Sequence, residues 1–259
     1  MRGWLRKRGG PVDEWFKDWF DKDYAAIYAH RDGQEAEAAV AMALRLAPQL
    51  ASGPVLDLGC GGGRHLEVLR RSNPAAFGLD LSRDLLALAP PGLRPWLLRG
   101  DMRHLPVRPA SLSGICMWFT PFGYFSDQEN RELCRRLRDL LRPGGVLLLD
   151  YLNAPFVRAH LVAEDVTRHG AIEVDSRRSL EGDRLVKRMT LTHLDTGRTR
   201  EALESLRLYE PAEMRALGAE CGLDLMLEAG DYQGASFEQA HSARWIGFLR
   251  RPLSDKISQ

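Results

Sequence analysis

The 259-residue chain is 44% hydrophobic and 27% charged, with 14 prolines. That ordinary globular composition excludes disordered, collagen-like and coiled-coil classes, and the length suffices to bury a sizeable core. With 36 Lys plus Arg against 35 Asp plus Glu the net charge is only +1, so bulk charge offers no polyanion-binding surface and no nucleic-acid partner is expected. No apolar run approaches the roughly 18 residues that a bilayer span needs. Arg2, Arg6, Lys7 and Arg8 are followed by no apolar leader core, which predicts a soluble, cytoplasmic protein without a membrane partner. Cys60, Cys116, Cys134 and Cys221 stand singly, with no CxxC pair and no His at ligand spacing. They predict buried thiols and no metal site.

In chain order, Trp15, Phe16, Trp19, Phe20, Tyr24, Ile27 and Tyr28 recur at helical spacing and predict one amphipathic helix over Asp13 to Tyr28. A second, alanine-rich helix over Glu35 to Leu50 ends at Ser52-Gly53-Pro54. Strand and helix signals then alternate. Strands are predicted at Val55 to Leu58, up to Asp80, Trp96 to Arg99, Gly114 to Phe119 and Val146 to Tyr151. Helices are predicted near Arg64 to Arg71, Leu85 to Ala89 and Glu129 to Leu141, the last stopped by Arg142-Pro143-Gly144-Gly145. Such alternation implies an α/β fold, a doubly wound, mostly parallel sheet with helices on both faces.

Past Ala154 the rhythm changes. Ile172 to Leu180, Arg184 to Leu194 and Arg198 to Leu208 alternate, separated by Glu181-Gly182-Asp183 and Asp195-Thr196-Gly197, and read as antiparallel hairpins. A helix from Pro211 to Cys221 and strands near Leu223 to Ala229 and Ala243 to Arg250 return to the core. The predicted division is a helical cap over 1–51, a core over 52–153 and 211–251, and an antiparallel β insertion over 154–210. The insertion serves as an acceptor lid or as a homodimer contact. Its charges, including Arg177, Arg178, Lys187, Arg188, Arg198 and Arg200, read as a solvated face.

The stretch with most chemistry is Val55-Leu56-Asp57-Leu58-Gly59-Cys60-Gly61-Gly62-Gly63-Arg64-His65. Glycines directly after a buried strand let the backbone turn sharply and approach a ligand. The dinucleotide fingerprint G-x-G-x-x-G/A fails in both registers, which meet Arg64 or Leu66 at the last position. A P-loop fails too, since no lysine follows the glycines.

The arrangement instead resembles the class I S-adenosylmethionine-dependent methyltransferases, whose acidic-x-Gly-x-Gly-x-Gly motif is matched by Asp57, Gly59, Gly61 and Gly63. The resemblance implies a seven-stranded Rossmann-like sheet and S-adenosyl-L-methionine as cofactor. It places Asp80 on the ribose hydroxyls with Leu81 beside it, Asp101 and Met102 at the adenine, and Phe119 along the cofactor. A carboxylate accepting two hydroxyls suits Asp80, since charge-assisted hydrogen bonds are the stronger ones. Read singly, the glycines could serve only a turn, Asp80 a helix cap and Asp101 a loop. One bacterial, small-molecule branch of the family is resembled further, through the aromatic N-terminal helix, Tyr28-Ala29-His30-Arg31, Phe119 to Phe125, and the insertion after the fifth strand. That branch implies Tyr24, Tyr28 and Arg31 closing over the methionine end of the cofactor.

Methyl transfer from a sulfonium is an in-line displacement, so alignment and exclusion of water are the main tasks. Family geometry brings His30, Tyr124 and Tyr151 near the methyl as candidate catalytic residues. The Asp/Asn-Pro-Pro-Tyr/Phe signature of nucleic-acid amino methylation is missing, Phe119-Thr120-Pro121-Phe122 standing in its place, and no Pro-Cys nucleophile is present. Trp118, Phe119, Phe122, Tyr124 and Phe125 divide between pocket wall and core, which suits a small-molecule N or O acceptor. The other readings are an RNA or protein methyltransferase, a nicotinamide-dependent oxidoreductase and a non-catalytic cofactor-binding module.

Overall fold

The computed structural model of the chain describes residues 14–29 and 33–253. Its main sheet has seven strands: β1 (Val55–Leu58), β2 (Ala76–Asp80), β3 (Leu97–Arg99), β4 (Leu112–Met117), β5 (Leu141–Leu152), β10 (Asp224–Ala229) and β11 (Arg244–Arg250). They lie in the order β10-β11-β5-β4-β1-β2-β3. β1 pairs in parallel with both β2 and β4, and β4 with β5, whereas β11 runs antiparallel to both neighbours. The chain moves outward from β1 on one side and returns to β4 on the other. The carboxyl ends of β1 and β4 therefore flank the switch point where such sheets bind ligands.

Alternation along each strand builds the two layers. From β1, β4 and β5, residues Leu56, Ile115, Met117, Leu147 and Leu149 join Leu133 and Leu137 of α6 (Asp127–Leu140) and Met214 and Leu217 of α8 (Pro211–Glu220). Val55, Cys116, Val146 and Leu148 face Val40 and Ala43 of α3 (Gly33–Leu46) and Leu66 and Leu69 of α4 (Arg64–Ser72). Period-two strands thus bury both faces, which is why they read as continuous apolar runs. α5 (Arg83–Ala87) is short and capped by Ser82. Among the described residues no helix is long and apolar enough to cross a membrane.

Two sequence expectations need correction. The single N-terminal helix is two, α1 (Phe16–Trp19) and α2 (Lys22–Ile27), because the Asp21 side chain accepts hydrogen bonds from the amides of Asp23 and Tyr24 and starts a new helix. The insertion holds more than three strands. α7 (Ala154–Ala159) and the edge strand β6 (Glu164–His169) precede β7 (Ile172–Glu181), β8 (Arg184–His193) and β9 (Arg198–Arg207) in a four-stranded antiparallel sheet. Val166 at 65% exposed shows why β6 carries no buried pattern.

Nor is the face of that sheet simply solvated. Arg200 ion-pairs with Asp21 and Asp23 and donates to the Asp18 carbonyl at 2.5 Å. Trp19 Nε1 donates to Glu204 Oε1 at 2.6 Å, and Lys187 Nζ to the Tyr28 hydroxyl at 3.0 Å. β8 and β9 thus hold α1 and α2 in place. On the other side Arg184 donates to the carbonyls of Tyr124 and Phe125, joining the insertion to the loop after β4.

Candidate functional site

A cavity of about 640 Å³ lies over the switch point, walled by the glycine turn, the ends of β2 and β4, and α1 and α2. Its floor follows from backbone geometry. Gly59 (φ +77°), Gly61 (φ +54°) and Gly63 (φ +83°) all take left-handed conformations that side chains resist. A Cβ at Gly63 would strike Leu93, and one at Gly59 would stand 3.0 Å from Pro121. Gly59 and Gly61 line the cavity. Gly63 caps α4 behind it.

Asp80 ends β2 and holds this turn. Its Oδ2 accepts the Gly61 amide at 2.8 Å and its Oδ1 the Ser82 amide at 2.7 Å. Burial raises its pKa while the amides of Ser82, Gly61 and Leu81 pull it back. A carboxylate has about four acceptor directions, so two remain for ligand hydroxyls. Ser82 Oγ donates in turn to the Phe20 carbonyl, tying the end of α1 to the cavity rim.

Of the residues singled out in the sequence, Leu81, Asp101, Met102, Phe119, Tyr24, Tyr28 and Tyr124 also line the cavity. Asp101 is gripped by Arg103, whose Nη2 stands 2.7 Å from Oδ2 and whose amide stands 2.9 Å from Oδ1. Burial would raise the Asp101 pKa, but this pairing holds it below the usual carboxylate range. Arg103 therefore competes for the carboxylate assigned to adenine. His30 and Arg31 lie outside the described residues. Tyr151 is a correction to the expected constellation: 1% exposed, it donates its hydroxyl to the Arg207 carbonyl, and burial raises its pKa. It joins β5 to β9 and does not line the cavity. The expected split of the aromatic cluster is seen, with Phe122 in the core and Trp118, Phe119, Tyr124 and Phe125 in the wall. Cys60, expected to be buried, is half-buried in the same wall.

Asp57 lies beneath the floor, 1% exposed, and among the described residues neither oxygen has a close hydrogen-bond partner, although the Leu66 amide favours its charged form. Burial, then the charge of Asp80, pushes its carboxyl up to about 8. Its folded pKa exceeds its unfolded value near 4, so its contribution to stability is full below pH 4 and is lost as pH rises towards 8. At about 1.4 kcal/mol per pKa unit, the loss is on the order of 5 kcal/mol. Asp57→Asn should flatten the decline, gaining on the wild type between pH 5 and pH 8 in urea melts. Parallel pH dependence in the two proteins would show Asp57 ionised at neutral pH.

Sequence reasoning missed the assembly behind Phe119. Phe119 (φ +58°) and Thr120 (φ +66°) are consecutive non-glycine residues in left-handed conformations, each costing on the order of 1–3 kcal/mol. Asp150 of β5 holds them: its Oδ2 accepts the Phe119 amide at 2.8 Å and its carbonyl the Thr120 amide at 2.9 Å. Arg244 ion-pairs with the same carboxylate, and the Tyr232 hydroxyl donates to it at 2.6 Å. An acid ending an apolar strand was the available clue, because a buried carboxylate needs partners.

His65 and Trp118 complete the deep wall, stacked with ring centres 4.9 Å apart. Neither His65 Nε2 nor Trp118 Nε1 has a partner among the described residues. Burial, then the charges of Arg64 and Arg244, holds the His65 pKa well below its usual value, so the ring is neutral. The cavity thus offers a backbone turn, a carboxylate with spare acceptor capacity, an aromatic roof and two unpartnered donor or acceptor atoms. Those features fit a donor carrying a ribose, a flat base and a cationic centre.

The comparisons agree with this geometry. A family model described as a methyltransferase domain matches residues 55–145. The dTDP-3-amino-3,4,6-trideoxy-alpha-D-glucopyranose N,N-dimethyltransferase of Streptomyces venezuelae is 28% identical over 218 residues, 81% of this chain and 87% of that protein. The structure of CalS10 with bound S-adenosylmethionine, an amino pentose methyltransferase from Micromonospora echinaspora, is 25% identical with a TM-score of 0.63, covering 90% of this chain and 98% of that one. An S-adenosylmethionine-dependent methyltransferase from Clostridium acetobutylicum shares the fold at 16% identity and a TM-score of 0.75, covering 89% and 97%.

Proposed function

We propose that this chain, which belongs to the class I S-adenosylmethionine-dependent methyltransferases, methylates an amine nitrogen on a small, sugar-like acceptor. The cavity over the glycine turn carries the reading, because Asp80 both braces that turn and keeps acceptor capacity for ribose hydroxyls. The acceptor class rests on the Streptomyces venezuelae relative and CalS10, both described as amino-sugar methyltransferases.

When bound, the donor would supply a methyl activated on sulfur, the amine lone pair forming the new carbon–nitrogen bond while the carbon–sulfur bond breaks and the surplus nitrogen proton leaves to solvent. The protein's own residues position and shield. Gly59 and Gly61 would let the donor approach the backbone, Asp80 would take the ribose hydroxyls, and Leu81 and Met102 would flank the base. Tyr28, held by Glu204 and Lys187 of the insertion, and Tyr24, whose ring centre lies 4.7 Å from that of Tyr28, close the roof against water. A neutral His65 adds no positive charge beside a sulfonium, and Phe119 forms the wall where donor and acceptor meet. Residues 1–51 act as cap, 52–153 with 211–251 as donor-binding core, and 154–210 as the part that shapes acceptor choice. The enzyme works in the cytoplasm on a free small molecule.

The test is methyl transfer from labelled S-adenosylmethionine to a panel of dTDP-linked amino sugars, hydroxyl-only counterparts, RNA and protein. Label on the amino sugars alone is expected. Label on RNA or protein with none on the sugars would overturn the reading.

A further inference from the structure

Two cysteines meet where α8 ends against α6. Cys134 of α6 and Cys221, which closes the C-terminal end of α8, are both buried, at 2% and 6% exposed. Neither lines the donor cavity. The end of α8 is pinned to one face of α6: Glu220 Oε1 stands 2.9 Å from both Arg131 Nε and Arg135 Nη2, and the Cys221 thiol donates to the Arg131 carbonyl at 3.8 Å. Residues three and four apart share a helix face, so Arg131, Cys134 and Arg135 lie together opposite Glu220 and Cys221. Across this contact the Cys134 thiol donates to the Cys221 sulfur.

We propose that Cys134 and Cys221 form a peroxide-reactive pair, in which Cys221 is the nucleophile and Cys134 closes a reversible disulfide joining α6 to α8. Thiol reactivity follows thiolate character. The hydrogen bond from Cys134, then the Arg135 guanidinium, holds the Cys221 thiol below its usual range against burial and the charge of Glu220. The same hydrogen bond and burial push Cys134 up, and burial pushes up Cys60 and Cys116. The Cys221 thiolate attacks one oxygen of hydrogen peroxide. A sulfur–oxygen bond forms, the oxygen–oxygen bond breaks and hydroxide leaves, so the sulfur gives up two electrons and the peroxide takes them. The Cys134 sulfur then attacks the sulfur of this sulfenic acid. The sulfur–sulfur bond forms, the sulfur–oxygen bond breaks, and hydroxide departs with the Cys134 proton as water. A dithiol reductant reverses the bridge by exchange. The bridge closes a loop of about 87 residues, which restricts the unfolded chain and stabilises the fold.

The experiment treats the purified, folded protein with a small molar excess of hydrogen peroxide and maps its cysteines by mass spectrometry of non-reduced peptides. The melting temperature and S-adenosylhomocysteine affinity are read on the same samples. The expected main product is a linked Cys134–Cys221 peptide, lighter than its parts by two hydrogens and separated by dithiothreitol. The melting temperature should rise by about 5 °C or more, with S-adenosylhomocysteine affinity within twofold of the reduced protein. In Cys134→Ala, dimedone should trap a sulfenic acid on Cys221; in Cys221→Ala, Cys134 should stay unlabelled. The wild-type map needs neither variant, so it decides the matter even where a variant fails to fold. Oxidation that reaches Cys60 before this pair, dimedone on Cys134 in Cys221→Ala, or a bridge that lowers the melting temperature would overturn the inference.

Discussion

Asp80→Ala is expected to weaken S-adenosylmethionine binding by about tenfold to a hundredfold while the protein still folds. A hydrogen bond to a charged group contributes roughly 1.5–3 kcal/mol, and each 1.4 kcal/mol is a factor of ten. The loss has two sources. The carboxylate that would take the ribose hydroxyls disappears, and Gly61 and Ser82 lose the acceptor that fixes the floor of the cavity. Asp80→Asn separates little of this, because an amide turns one of its two atoms into a donor facing a backbone N–H. Calorimetric titration of the folded variant is the check, and a change below threefold would remove Asp80 from the donor site.

The largest stability effect is expected at Asp150. Its carboxylate, fully buried, is shared by Arg244, Tyr232 and the Phe119 amide. Asp150→Ala leaves Arg244 without its counter-ion in an interior position, a change that typically costs 3–5 kcal/mol. For a protein of this size that lowers the melting temperature by on the order of 10 °C. Phe119 and Thr120 would also lose the contacts that hold their left-handed backbone, so activity should fall further than stability alone explains. The double variant Asp150→Ala, Arg244→Met should recover part of the lost stability, since it removes the orphaned cation. No recovery would show that the carboxylate acts mainly through the Phe119 loop.

These two residues show where sequence reading succeeds and where it stops. Asp80 was legible because its meaning is local: it ends an apolar strand at a fixed distance from a glycine turn, and the turn's chemistry follows from missing side chains. The parallel sheet was legible for a similar reason, since buried strands and short helices repeat with clear stops. The Asp150 assembly was not, because its partners lie 82 and 94 residues away and only folding brings them together. Tyr151 was misplaced through the same blindness. Its neighbour Asp150 faces the Phe119 loop, whereas its own side chain points to β9. The break between α1 and α2 had a local signal in Asp21, but seven aromatic and aliphatic residues at helical spacing outweighed it.

The cavity beneath Tyr24 and Tyr28 is where the donor must bind. The direct measurement is calorimetric titration of the purified protein with S-adenosylmethionine and S-adenosylhomocysteine, with NAD and NADP as matched controls. Saturable one-to-one binding of both sulfur ligands, and of neither nicotinamide, is the predicted result. Binding of the nicotinamides instead, or of no ligand in the set, would contradict the donor site and everything built upon it.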